Sequence, residues 1–264
     1  MKRAYRQSIA ALVAALSIAP AFACAPAIAQ RANPWTLGIV DASFVWSPQA
    51  GVAASIPKCA YDLAKQNGYV AAKASPNQES PLQVCLLKIM HEDGAPKNAI
   101  AFTQWFYWTP YGDSAYITAL AKPQYGPVQL ASIFYPGNAN NNDAYLFVNG
   151  TNPRVTDPKV IFAPAAQPWK HDAGYRAILS AHPNAFVYAT LSFVKLERRE
   201  GGGQRFTLAA PIVDGCHACA RLGTVDIAYD FGSLGAPKGA SLVAVHPSAT
   251  TSAPASHPTS KARE

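Results

Sequence analysis

The sequence predicts an α+β protein, mainly antiparallel β with two short helices, arranged as a sandwich or as two small subdomains. Two observations carry this. Most apolar runs are short, follow a period of two and are bounded by Pro, Gly or Asn, as hairpin strands are. Only two stretches, 58–68 and 171–181, space their apolar residues as an amphipathic helix does.

Taken in order, 35–46 reads as a strand carrying Leu37, Ile39 and Phe44, and 48–57 as a loop. The helix over 58–68 places Cys59 and Leu63 on one face and stops at Gly68, a residue suited to the left-handed position after a helix. A polar connector over 72–81 leads to a strand over 82–90. The heaviest strand follows over 98–108, with Phe102, Phe106 and Trp108 on one face and Trp105 and Tyr107 on the other. Three more strands are expected over 115–121, 128–135 and 143–148, the last ending in the turn pair Asn149-Gly150. A further strand over 154–162 and a linker over 164–168 precede the second helix. That helix carries Tyr175, Ile178 and Leu179 and ends before Pro183. A long strand over 185–196 turns through the glycines of 200–204 into a strand over 205–213. Strands over 224–229 and 241–245 complete the body.

The expected organisation has four parts. Residues 1–29 are a secretory signal, 30–163 a β-rich part, 164–246 a helix and β-hairpin part, and 247–264 a disordered tail of Ser, Thr, Ala and Pro. The leader has a basic start, an apolar run too short to span a bilayer, and Ala27-Ile28-Ala29 as a cleavage site before Gln30. Lipidation at Cys24 is the rival. The destination is then the periplasm or the cell exterior, with no transmembrane segment in the mature chain.

Charge narrows the partners. Removing Lys2, Arg3 and Arg6 with the leader takes the formal +7 to +4, and no basic stripe remains, so nucleic acid is not an expected partner. The cluster Lys195, Arg198 and Arg199 lies beside Glu197 and Glu200 and reads as a solvated strand end.

Four cysteines remain once Cys24 leaves: Cys59, Cys85, Cys216 and Cys219. An even number in an exported chain implies disulfides, and four allow three connectivities. Local economy favours Cys59–Cys85 and Cys216–Cys219. The stretch Cys216-His217-Ala218-Cys219 is the one place where reactive side chains crowd together. Its spacing matches a thiol-redox site. Such a site puts its first cysteine at a helix N-terminus, where the dipole stabilises the thiolate, and here a strand follows instead. Haem attachment requires His after the second Cys, where Ala220 stands. Structural zinc needs a second ligand pair, which Cys59 and Cys85 do not form. The structural disulfide is the first reading, with redox chemistry by Cys216, His217 and Cys219 the alternative. No metal or other cofactor is expected.

The Asn-rich run 138–143 resembles the start of a calcium loop but lacks its glycine and its final Glu, so it reads as a turn. No G-x-S-x-G, H-E-x-x-H or P-loop occurs. Bulky residues on both faces of 98–108 leave Trp105 and Tyr107, with Tyr111 beyond, as candidate binding residues. The functional expectation is an exported soluble binding protein: an inhibitor, immunity or accessory factor acting on a protein or cell-wall partner. The alternative is a thiol-disulfide oxidoreductase using Cys216 and Cys219.

Overall fold

The computed structural model describes residues 39–66, 79–109, 113–122, 125–138, 142–150, 155–163 and 166–248. The expected leader, Cys24, Gln30 and Tyr111 lie outside the described residues. Described helices are α1 (Ala50–Gln66), α2 (Pro81–Glu92), α3 (Lys97–Tyr107) and α4 (Ala173–Ala181). Described strands are β1 (Tyr116–Leu120), β2 (Gln129–Phe134), β3 (Asp143–Val148), β4 (Val155–Thr156), β5 (Ala185–Val187), β6 (Ser192–Arg198), β7 (Gln204–Asp214), β8 (Arg221–Phe231) and β9 (Pro237–Pro247). The chain is an α+β protein rich in antiparallel strand, with four α-helices among the described residues where two were expected.

Both extra helices replace expected strands. The run over 82–90 is α2. Ser80 caps it by accepting a hydrogen bond from the Gln83 amide at 3.1 Å, and Pro81 occupies its first turn, where a missing N–H costs nothing. The run over 98–108 is α3, and its buried Ala99, Phe102, Thr103 and Phe106 recur every three or four residues. The expected loop over 48–57 belongs to α1, which continues through Pro57. Burial outweighs the lost hydrogen bond: Ile56 is fully buried, with Val52 and Cys59 on the same face packed into the same cluster. The described part of the expected strand over 35–46 is irregular, with a short 3-10 turn at Ala42–Phe44.

The first sheet is the meander β1-β2-β3-β4, and the second has the order β5-β7-β8-β9 with β6 also paired to β7. The expected strand over 154–162 shrinks to β4 and a 3-10 turn at Pro158–Phe162. The expected long strand over 185–196 divides. Residues of β5 pair with the far end of β7 (Phe186 opposite Val213), and those of β6 with its beginning (Leu196 opposite Phe206).

Alternation within the first sheet decides the layering. Ile117, Ala131, Ile133, Leu146 and Val148 face one way, against Phe102 and Phe106 of α3. Tyr116 and Phe134, on the other face, join Trp46 and the α1–α2 cluster. Leu130 and Phe147, on that same face, pack on Phe206, Leu208, Ile227 and Tyr229 of the second sheet. The two sheets therefore share a core, the sandwich arrangement, to which Tyr175 and Ile178 of α4 also contribute. Trp169, just past the expected linker, is buried there, and its ring meets that of Phe162 at a tilt with centroids 5.2 Å apart. At the C-terminal end β9 runs to Pro247, and Ser248 donates to the carbonyls of Leu222 and Arg221. The remaining expected tail lies outside the described residues.

On the outer face of the second sheet Arg205 opposes Asp230 and donates to both carboxylate oxygens, at 2.7 and 2.6 Å. These hydrogen bonds, helped by the guanidinium charge, hold the Asp230 carboxyl below the usual range. A carboxyl depressed in the folded state contributes stability that is present above its unfolded value, about 4, and lost as pH falls through the folded one. Asp230→Asn should therefore cost up to about 1 kcal/mol at neutral pH, the pair being partly exposed. The parent and variant should converge below about pH 4. Urea midpoints from pH 7 to 3 check this, and parallel curves would refute it. Asp157, whose carboxyl burial pushes up, is present in both proteins and cancels in the comparison.

Candidate functional site

The β7–β8 connection is the tip of a long hairpin. Gly215 enters it at φ +77°, a left-handed conformation that favours glycine. The Cys219 amide donates to the Cys216 carbonyl at 3.1 Å, closing a tight turn, and the Asp214 amide donates to the Ala220 carbonyl at 3.1 Å beneath it. Cys216 and Cys219 are bridged across that turn with their Cα atoms 5.0 Å apart. Residues 215–221 are exposed throughout.

Cys59–Cys85 is the second bridge, with Cα atoms 5.8 Å apart, and it ties α1 to α2. Its environment is more enclosed: Cys85 is 1% exposed among the buried residues of α2, and Cys59 is half-buried. In the chain-entropy model closing this longer loop stabilises the fold by about 3 kcal/mol, and the short hairpin bridge by about 2 kcal/mol. Both pairings follow the local economy expected from spacing.

Two side chains join the hairpin tip from β5 and the residue after it. Phe186 and Tyr188, two apart, lie on the outer face of the second sheet, since Ala185 and Val187 belong to its core. Their rings meet edge to face at 6.3 Å, and Tyr188 approaches the His217 ring at 5.9 Å. Phe186 is 38% exposed. The three rings thus form an open ladder leading to the disulfide. Behind the tip, His182 at the end of α4 meets Asp214 at 3.0 Å through Nδ1. The Asn184 carbonyl accepts from the Gly215 amide at 3.2 Å and anchors the tip to the segment before β5.

The expected aromatic belt is arranged differently, because it is helical. Trp105 is half-buried and packs on Phe102 at 5.9 Å. Tyr107 is half-buried as well, and its hydroxyl accepts from the Ser80 amide at 2.9 Å, which links α3 to the start of α2. Trp108, set edge-on to Tyr107, is the exposed member at 47%. The ladder of Phe186, Tyr188 and His217 escaped sequence reasoning as a unit. The readable signal was the two-residue spacing of Phe186 and Tyr188; its adjacency to His217 depends on β5 pairing beside the end of β7.

Other expected features have structural partners. Lys195 pairs with Glu197 at 3.2 Å, and Arg198 lies over the Tyr125 ring at 4.7 Å. Within the Asn-rich run, the Asn142 carbonyl accepts from Tyr135 at 2.7 Å, while residues 139–141 lie outside the described part. Among the described residues no cluster of three or more His, Cys, Asp or Glu side chains could hold a metal ion, and no helix is long and apolar enough to cross a membrane. No family model, curated protein or solved structure matches the chain.

Proposed function

We propose that this chain is an exported binding protein, an inhibitor, immunity or accessory factor, that grips a protein partner with the hairpin end of its second sheet. The observation that carries the reading is the open ladder of Phe186, Tyr188 and His217 beside the exposed Cys216–Cys219 turn. Aromatic rings with one accessible edge supply contact area at low entropic cost and are enriched where proteins bind one another.

The mature protein, immobilised, should retain a discrete polypeptide from an envelope extract. Tyr188→Ala should weaken the affinity of the purified pair by about thirty-fold, the hot-spot scale of roughly 2 kcal/mol. Its thermal midpoint should stay within a few degrees of the parent, since the ring is half-buried on the outer face. Unchanged affinity would remove the ladder from the interface. Sedimentation with cell-wall polymer and not with any protein would move the reading to a wall ligand.

A further inference from the structure

We propose that the Cys216–Cys219 bridge is redox-active and exchanges with the dithiol of a polypeptide. The inference concerns the same end of the molecule as the docking surface but does not depend on it.

Exposure comes first. Thiol-disulfide exchange requires a thiolate to reach a sulfur, and both cysteines lie in the exposed stretch 215–221. The bridge is also dispensable to the fold around it. The turn is closed by the Asp214–Ala220 and Cys219–Cys216 backbone hydrogen bonds and anchored by Gly215 to Asn184. Pairing of β7 with β8 extends to Val213 opposite Arg221. Opening the disulfide therefore breaks no backbone hydrogen bond of the turn, whereas Cys59–Cys85 joins two helices inside a shared apolar cluster.

The electrostatic setting suits a thiolate without the helix dipole that thioredoxin-type sites use. His217 sits between the cysteines, and its imidazolium form would stabilise a neighbouring thiolate. Arg221 follows Cys219 by two residues and carries a permanent charge. Asp214, two residues before Cys216, is held by a hydrogen bond with His182 Nδ1 at 3.0 Å.

The exchange balances with the partner dithiol alone. A partner thiolate attacks one sulfur of the bridge, a mixed disulfide forms, and the Cys216–Cys219 bond breaks with its electron pair on the departing sulfur, which becomes a thiolate and takes up a proton. The partner's second thiolate then attacks its own sulfur in the mixed disulfide and displaces the remaining cysteine. The partner loses two electrons and two protons and gains a disulfide; Cys216 and Cys219 gain them as two thiols. The reverse sequence reduces a partner disulfide.

The test uses mature protein equilibrated across a series of reduced-to-oxidised glutathione ratios, then alkylated, with all four cysteines mapped by mass. The expected result is reversible opening of Cys216–Cys219 while Cys59–Cys85 stays bridged and circular dichroism is unchanged. His217→Ala should slow the exchange with glutathione by about three-fold or more. A bridge that stays closed in every buffer that leaves the fold intact, or that opens only together with Cys59–Cys85 or with loss of structure, overturns the proposal. An unchanged rate in His217→Ala overturns the role given to that side chain. Glutathione needs no docking surface, so these outcomes are independent of the partner test.

Discussion

Replacing Phe147 by alanine is expected to destabilise the protein by about 3–5 kcal/mol, the range for deleting a buried aromatic ring. Phe147 is 1% exposed and belongs to β3 of the first sheet. Its ring meets three rings of the second sheet: Phe206 at 5.1 Å, Tyr229 at 5.1 Å and Phe231 at 4.9 Å. Truncation removes buried apolar area and the aromatic contacts, and leaves a cavity between sheets whose strands are held in place by their own ladders. That rigidity limits collapse into the space. Such a loss is a large share of the stability of an ordinary domain, about 5–15 kcal/mol. Urea denaturation of parent and variant measures it. Where alanine yields no folded protein, Phe147→Leu should fold with a smaller loss. A cost below about 1 kcal/mol for alanine would mean that the two sheets do not depend on a shared core.

The second large effect is expected at Gln204. This side chain is 1% exposed at the start of β7 and serves a loop of the first half of the chain. Its Oε1 accepts from the Val128 amide at 2.8 Å, and its Nε2 donates to the Val128 carbonyl at 2.9 Å and to the Tyr125 carbonyl. Gly126 makes room for it: at φ +89° a Cβ there would fall 2.5 Å from the Gln204 side chain. Gln204→Leu keeps similar bulk but strands these backbone groups without partners. The Val128 amide and carbonyl are buried and cost about 1–3 kcal/mol each when unpaired, so a loss of about 2–6 kcal/mol is expected. Increased hydrogen exchange at the Val128 amide should accompany it. A neutral substitution would show that water replaces the glutamine.

Gln204 also shows where sequence reasoning stops. Its position after the glycine-rich turn reads as a polar loop residue, and nothing local indicates that its amide is needed 76 residues earlier in the chain. The misread helices have a more general cause. In 98–108 Phe102 and Phe106 are four apart, a spacing that satisfies both a period of two and one turn of helix. Short apolar runs do not separate the two, and in 82–90 the informative signal lay outside the run, in Ser80-Pro81. The reading of 48–57 failed for the opposite reason. Pro57 argues against a helix, and the burial of Ile56 with Val52 and Cys59 overrules it. By contrast, β3 matches its expected bounds because Asn149-Gly150 ends it sharply, and β7 to β9 are found because glycine-containing turns separate their runs.

By itself, the sequence determined the antiparallel β-rich α+β class and the strands bounded by strong turns, and it favoured the local cysteine pairing without selecting it among the three connectivities. These depend on local patterning and short loops, which a chain carries wherever it folds. Tertiary structure decided which bridge is buried and which is exposed. It decided that the aromatics of α3 face inward or find backbone partners, and that Tyr188 stands beside His217. Those outcomes depend on strand register and on which faces find apolar partners, and both are set only when distant segments pack together.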